Sequence, residues 1–271
     1  MLIYFVCGKM KRKFDKKEVR RMATLYPFYS TSKGNCTLLV SKGRGLLIDC
    51  GVSRASIIKA LGEIGFSIDA VDGLLLTHEH SDHIKALPML VQKDHIPVYA
   101  GKGTLDAIEA DGTDHQNQPF EIGPFRITPI PTSHDVADPC GYRIEVEGKA
   151  LAIVTDTGKV TPQMQQALGG CRLIMLESNY DPDLLENGDY PAALKQRIRS
   201  PKGHLSNNDC AALLALFALQ GEMKTAVLAH LSDNNNTPLT AKMAVLNAFA
   251  QYGITDVCLE VGGPFCPPLE V

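Results

Sequence analysis

No tryptophan occurs in the 271 residues, and phenylalanine and tyrosine together supply only 6% of them. A nucleic-acid platform rich in stacked aromatics is therefore not expected; Tyr180 and Tyr190 are the aromatic candidates nearest the chemistry described below. The eight cysteines form no C-x-x-C pair, and several fall inside apolar runs. That speaks against a disulfide frame and for reduced, buried thiols in a reducing, cytoplasmic setting. No apolar run approaches the ~20 residues needed to cross a bilayer, so no membrane partner is expected. Leu2 to Val6 is too short for a signal segment, and its charges follow instead of precede it.

What is present suits a globular enzyme. With 45% hydrophobic residues, a chain of this length buries roughly three quarters of the surface it would expose unfolded, so its core needs no staples. Charge is unevenly spread. Residues 1–21 hold eight Lys/Arg against two Asp/Glu, net 8 − 2 = +6; the whole chain is −3, so residues 22–271 carry −3 − 6 = −9. A basic tail could touch nucleic acid. The favoured reading differs: Lys17-Glu18-Val19 can be encoded as a bacterial ribosome-binding sequence a usual distance before Met22, which makes Met22 the expected start and residues 1–21 an untranslated leader.

From Met22 onward the pattern alternates without linker, repeat or low-complexity segment, and one domain over 22–271 is expected. Strand-like runs at Leu25–Tyr29, Thr37–Val40 and Gly45–Ile48 form an antiparallel meander, broken at Gly34 and at the turn Lys42-Gly43-Arg44. A helix follows, N-capped by Ser53, with Ile57, Ile58, Leu61 and Ile64 on one face. Further helices are expected at Thr104–Ala110, Thr161–Leu168, Ser206–Leu219 and Thr237–Ala250. Ser206 with Asp209 has the form of a capping box, and Thr237-Pro238 is a helix start. Gly101-Lys102-Gly103-Thr104 mimics a phosphate loop but lacks the rest of that pattern; it reads as a turn capped by Thr104. His95 and His115 have no ligand neighbours at useful spacing, and Cys140 has no paired base.

The densest chemistry lies in Thr77-His78-Glu79-His80-Ser81-Asp82-His83, just after the apolar strand Val71–Leu76. His78 and His80, two apart, can face one point; Asp82 and His83 reach a second point a few ångströms away. That is ligand spacing for two metal ions.

The pattern H-x-H-x-D-H after a hydrophobic strand resembles the metallo-β-lactamase superfamily. The resemblance runs from about Leu25 to the end and implies an α/β fold, the four-layer αβ/βα sandwich. It also implies a ligand set. His134 follows the strand-like Phe125–Ile130, Asp156 follows Ala150–Val154, and His230 follows Thr225–Ala229. By resemblance, His78, His80 and His134 bind one divalent ion, Asp82, His83 and His230 the other, and Asp156 bridges both. Asp49, at the end of an early strand, matches the superfamily's first motif and is expected to support a ligand from behind. Imidazole with carboxylate suits Zn²⁺ or Mn²⁺, with Fe²⁺ also compatible.

Pro201-Lys202-Gly203-His204-Leu205-Ser206-Asn207 sits before a helix start, where free N–H groups suit an anion. Within the superfamily, the phosphodiesterase branch carries such an element, and its histidine is not a ligand. Gly203 to Asn207, Glu177-Ser178-Asn179-Tyr180-Asp181 and the run from His230 to Pro238 are most similar to the YycJ/WalJ-like branch, which implies a metal-dependent, exonuclease-like enzyme acting on DNA. The expected roles follow from that resemblance. Asp82 orients a metal-bound hydroxide, His204 protonates the leaving sugar oxygen, and Lys202, Gly203, Ser206, Asn207 and Asn179 contact the substrate. Lys195, Arg197, Arg199 and Lys202 would form a narrow basic strip into the cleft; a solvated helix face is the plainer alternative. A thioesterase or lactonase using the same hydroxide, and a non-catalytic accessory protein, stay open at this stage. His204 and the basic strip favour phosphate.

Overall fold

The computed structural model describes residues 22–271; the expectation for residues 1–21 lies outside them. Strands β1 (Thr24–Thr31), β2 (Gly34–Ser41) and β3 (Arg44–Ile48) form the expected meander. Between β2 and β3 the chain turns on Lys42 and Gly43, both at positive φ (51° and 76°), the two-residue hairpin geometry that matches strand twist. β4 (Val71–Leu75), β5 (Val98–Ala100) and β6 (Thr113–Asp114) then add in parallel. Helices α1 (Arg54–Glu63), α2 (Ser81–Ile84), α3 (Leu87–Asp94) and α4 (Lys102–Ile108) link them.

A second sheet begins with the antiparallel strands β7 (Phe120–Ile122), β8 (Phe125–Pro131), β9 (Cys140–Val146) and β10 (Lys149–Val154). It continues in parallel through β11 (Leu173–Glu177), β12 (Thr225–Ala229) and β13 (Cys258–Val261). Its connections hold α5 (Pro162–Leu168), α6 (Pro182–Asn187), α7 (Ala192–Arg199), α8 (Asn207–Leu219) and α9 (Pro238–Gln251). The short β14 (Leu269–Glu270) returns to pair with β1.

Alternation along the strands sorts the core into three seams. Leu46, Ile48 and Leu75 of the first sheet meet Ile127, Tyr142, Ile153 and Val227 of the second. Leu38, Leu47 and Leu74 point the other way, under Ile57, Leu61 and Leu90 of the helices. Ala152, Ile174 and Leu228 do the same beneath Leu214, Phe217, Val245 and Phe249. Successive strand residues face opposite sides, so each sheet buries both faces. The result is the four-layer αβ/βα sandwich.

The caps are largely as the sequence implies. Ser53, Thr161, Ser206 and Thr237 each accept an N–H from the first turn of their helix. The expected cap at Thr104 is corrected: α4 starts two residues earlier, after Gly101, and the Thr104 hydroxyl donates to Asp138 O at 3.2 Å instead. A side chain on Gly101 would lie 2.2 Å from the Asp138 carboxylate, so the glycines serve the close approach of that loop.

Candidate metal centre

Both sheets present the same edge to one cleft. Asp49 follows β3, the His78–His83 loop follows β4, His134 follows β8, Asp156 follows β10, Glu177 ends β11 and His230 follows β12. Three of these, Asp49, Asp156 and His230, hold φ of 58°, 53° and 54°. A non-glycine in that region costs of order 1–3 kcal/mol, a strain the surrounding hydrogen bonds must impose.

Four overlapping donor groups result among the described residues, one of them Asp156, Glu177, His204 and His230; two clusters carry the expected ligand sets. His78 Nε2 lies 3.1 Å from His80 Nδ1, which lies 3.3 Å from His134 Nε2. On the other side, Asp82 Oδ2 is 3.4 Å from both His83 Nε2 and His230 Nε2. Asp156 stands between them: Oδ2 is 3.3 Å from His83 Nε2, and Oδ1 is 3.7 Å from His134 Nε2. Metal–nitrogen bonds of 2.0–2.1 Å in a tetrahedron give ligand–ligand edges of about 3.4 Å, so these gaps are of the size one ion would span.

The second nitrogens are occupied in the way ligation needs. His83 Nδ1 donates to Asp49 Oδ2 at 2.8 Å, His230 Nδ1 to Glu177 Oε1 at 2.9 Å, and His134 Nδ1 to the Gly203 carbonyl at 3.0 Å. Thr77 Oγ1 donates to Asp49 at 2.9 Å, leaving its lone pair to His78 Nδ1 at 3.0 Å. Each contact fixes a tautomer that leaves the inward nitrogen free to bind. Tyr142, buried under the loop, donates to Leu76 O at 2.5 Å and ties the metal loop to the second sheet. Gly51 lets the loop close down: a side chain there would sit 1.5 Å from Asp82 O.

The electrostatics ask for cations. Burial raises the carboxyl of Asp156, yet the imidazoles of His230 and His83, themselves raised, outweigh it and hold the group well below its ordinary value. Burial likewise lowers His83, and Asp49 and Asp156 more than reverse this, placing it well above the usual imidazole range. Protons on imidazoles thus supply the positive charge that metal ions would bring. Asp156 Oδ2 is buried without a well-directed donor among the described residues, as a metal-bridging oxygen would be. Donor set, spacing and orphaned oxygen all fit divalent metal.

His204 lies at the mouth, 21% exposed at its side chain, with Nδ1 2.8 Å from Glu177 Oε1. Glu177 is fully buried, and its other oxygen accepts from Thr157 N at 2.9 Å and Leu205 N at 3.1 Å. Burial lowers the imidazole of His204, but Glu177 outweighs it and the group is raised. Glu177 carries no role in the expectations from the sequence. A charged residue ending the apolar run Leu173-Ile174-Met175-Leu176 was the available signal, because a buried carboxylate requires partners.

Several expected substrate contacts are spent on the fold. Asn207 is fully buried and exchanges hydrogen bonds with Ser178 and Asn236. Ser206 caps α8, and Asn179 Nδ2 donates to His230 O at 2.8 Å. The α8 start is partly satisfied too, since Asn207 N donates to Tyr180 O and Asp209 N to Ser206 Oγ. Gly203 contributes its carbonyl to His134, while Lys202 stays exposed. The basic strip is mostly paired locally: Arg197 with Asp135 at 2.7 Å, Arg199 with Glu186, and Lys195 with Glu186 O. Tyr180 is no stacking platform, being buried against Leu185 and Ile198.

Comparison with known proteins agrees with this geometry. Residues 44–231 match the family described as the beta-lactamase superfamily domain. Over 233 residues, 83% of the chain and 88% of the relative, it is 36% identical to the exodeoxyribonuclease YycJ of Bacillus anthracis. It is 35% identical to the exodeoxyribonuclease WalJ of Streptococcus pneumoniae, with coverage of 82% and 86%. The solved metallo-β-lactamase fold protein YhfI of Bacillus subtilis superposes with a TM-score of 0.69 at 18% identity, covering 92% of this chain and 99% of that one.

Proposed function

This chain belongs to the β-lactamase superfamily, and on that footing we propose that it is a metal-dependent nuclease that degrades DNA from an end through a site holding two divalent ions. The observation that carries the reading is the Glu177–His204 pair beside the two donor clusters, because a proton donor aimed at a leaving oxygen serves a phosphodiester and has no evident use on a thioester. The names of its relatives support DNA as the polymer.

In this reading His78, His80 and His134 would hold one ion and Asp82, His83 and His230 the other, with Asp156 within reach of both sets; the donors suit Zn²⁺ or Mn²⁺, and Fe²⁺ as well. Bound there, the ions would make water acidic enough to supply a nucleophile near neutral pH and would offset phosphate charge. Asp82 orients the attacking oxygen. Glu177 keeps one proton on His204 Nδ1 and favours a second on Nε2, so the ring gives the Nε2 proton to the departing sugar oxygen. Asp49 and the Gly203 carbonyl act behind His83 and His134, holding the rings still. Lys202, exposed next to Gly203, receives a flanking phosphate.

Metal analysis of untagged protein, followed by assay on end-labelled single- and double-stranded DNA beside thioester and lactone panels, tests the proposal. Release of mononucleotides from one end, with no turnover of the panels, is expected. Turnover of a thioester with intact DNA would assign the site to the small-molecule hydrolases.

A further inference from the structure

We propose that the outer face of α8 and α9 is the contact between two copies of this chain. The two helices lie side by side over the second sheet and bury Cys210, Leu214, Phe217, Ala241, Val245 and Phe249 in the core. Their opposite faces are apolar as well. Leu216 is 44% exposed, Leu219 56%, Leu239 71% and Leu246 46%. Among the described residues, six of the ten large hydrophobic side chains left exposed belong to these helices or to the Tyr252 cap, so the exposure is one patch and not scatter.

The sequence says the same. From Cys210 to Leu219 no charged or polar residue other than the cysteine occurs, and a helix apolar all round belongs inside something. On α9, Leu239, Met243 and Leu246 follow the i, i+4, i+7 spacing of a helix seam. Core packing uses one seam of each helix and leaves the other unpaired.

The shape and charge of the face select a second copy as its occupant. Between the helices runs a groove of about 540 Å³, lined by Ala211, Ala212, Leu216, Leu219, Ala244 and Ala248. Ridge and groove on one face are what a two-fold contact requires, because each copy must offer both. The polar members of the groove are Asn208, Asn247 and Gln251. Amides donate and accept equally, so they can pair with themselves across a two-fold where like charges would repel. Lys242, the nearby cation, is already paired with Glu260 at 3.3 Å. The face therefore offers little to an anionic lipid surface or a strongly charged partner. Its extent is modest. Two adjacent helices of 13 and 14 residues, each ~20 Å long and ~10 Å across, present a face of roughly 400 Å² in projection before side-chain relief is counted. That is about half the ~800 Å² per partner of a standard interface, which places the contact at the small end of specific interfaces and makes the dimer a weak one. The four helices would close into a bundle, and neither copy would leave a second such face to propagate contacts.

Sedimentation of the untagged full chain, with its metals, between about 1 and 100 µM tests this. The mass should rise with concentration toward twice the 29.4 kDa of the chain, and Leu216→Glu with Leu246→Glu should return it to 29.4 kDa while circular dichroism and metal content stay as in the wild type. If that pair disturbs the fold, Leu239→Lys decides the matter alone, since its side chain is mostly in solvent. A wild type that stays at 29.4 kDa throughout the range overturns the proposal. So does a variant that folds and remains a dimer, which would place the interface elsewhere.

Discussion

Glu177 Oε1 stands 2.8 Å from His204 Nδ1. The same oxygen is 2.9 Å from His230 Nδ1, so one carboxylate braces both a candidate metal ligand and the candidate acid. The burial of Glu177 pushes its carboxyl up, and His204 more than offsets this, so the net shift is downward.

Glu177→Gln tests that coupling. Donors from His204, His230, Thr157 and Leu205 converge on the carboxylate, and an amide must turn its NH₂ toward one pair of them. Leaving buried donors unsatisfied costs about 1–3 kcal/mol of stability, read as a lower Tm. Activity should fall roughly 10- to 100-fold. The pH profile carries the sign: the Glu177 charge raises the pKa of His204, and the protonated ring is the active form, so activity is lost as pH rises through that pKa. Removing the charge should move the alkaline limb of kcat/KM to lower pH. A limb that does not move assigns the acid to another group.

Asp49 offers a cleaner separation of charge from backbone. Its carboxylate accepts from His83 Nδ1, Thr77 N and Thr77 Oγ1, and its φ is 58°. Asparagine tolerates that φ, whereas alanine is strained there. Asp49→Asn should therefore keep the backbone unstrained, but its NH₂ must face either Thr77 N or His83 Nδ1, which lowers Tm by the worth of one buried donor. The ion beside His83 should bind roughly 10- to 100-fold more weakly, as measured by competition with a chromogenic chelator. Asp49→Ala should weaken binding and lower Tm together. Wild-type affinity in the asparagine variant would show that the negative charge is not what holds His83.

Much of this centre was legible beforehand because its residues occur at strand ends in a fixed order. The run His78 to His83 follows Leu76, His134 follows β8, and Asp156 and His230 follow strands that read as plain apolar runs. The meander and the caps at Ser53, Ser206 and Thr237 are local chemistry and were readable for that reason. What was not legible depends on contacts across the fold. Asn207 reads as an anion contact at a helix start, but Ser178 and Asn236 approach from 29 residues away on either side and consume its amide. Arg197 reads as a phosphate ligand until Asp135, 62 residues distant, is found against it. The short helices α6 and α7 bury only Leu185 and Ile198, and the half-buried β13 has little alternation, so these elements rest on tertiary packing more than on local signal.

Asp156→Ala is expected to release metal. The residue reaches both donor clusters, and its Oδ2 lacks a directed donor of its own among the described residues. Emission spectrometry on dialysed protein should find fewer than two ions per chain, with activity lost in step. Two tightly retained ions per chain would show that this carboxylate does not bridge them.

His204→Ala separates acid catalysis from metal binding. The ring packs at the mouth of the cleft and its Nδ1 is committed to Glu177, so its loss should leave metal content close to the wild type while Tm falls as the buried Glu177 loses a donor. Cleavage of DNA should fall roughly 10²- to 10⁴-fold, the usual worth of a positioned general acid. The decisive comparison uses a leaving group that needs no proton. Bis(p-nitrophenyl) phosphate releases a stable phenolate, so the variant should lose far less on it than on DNA, where an alkoxide must leave. Equal losses on both substrates would make His204 a phosphate contact instead of an acid. Full activity on both would remove it from the reaction and return the carbonyl hydrolases to contention.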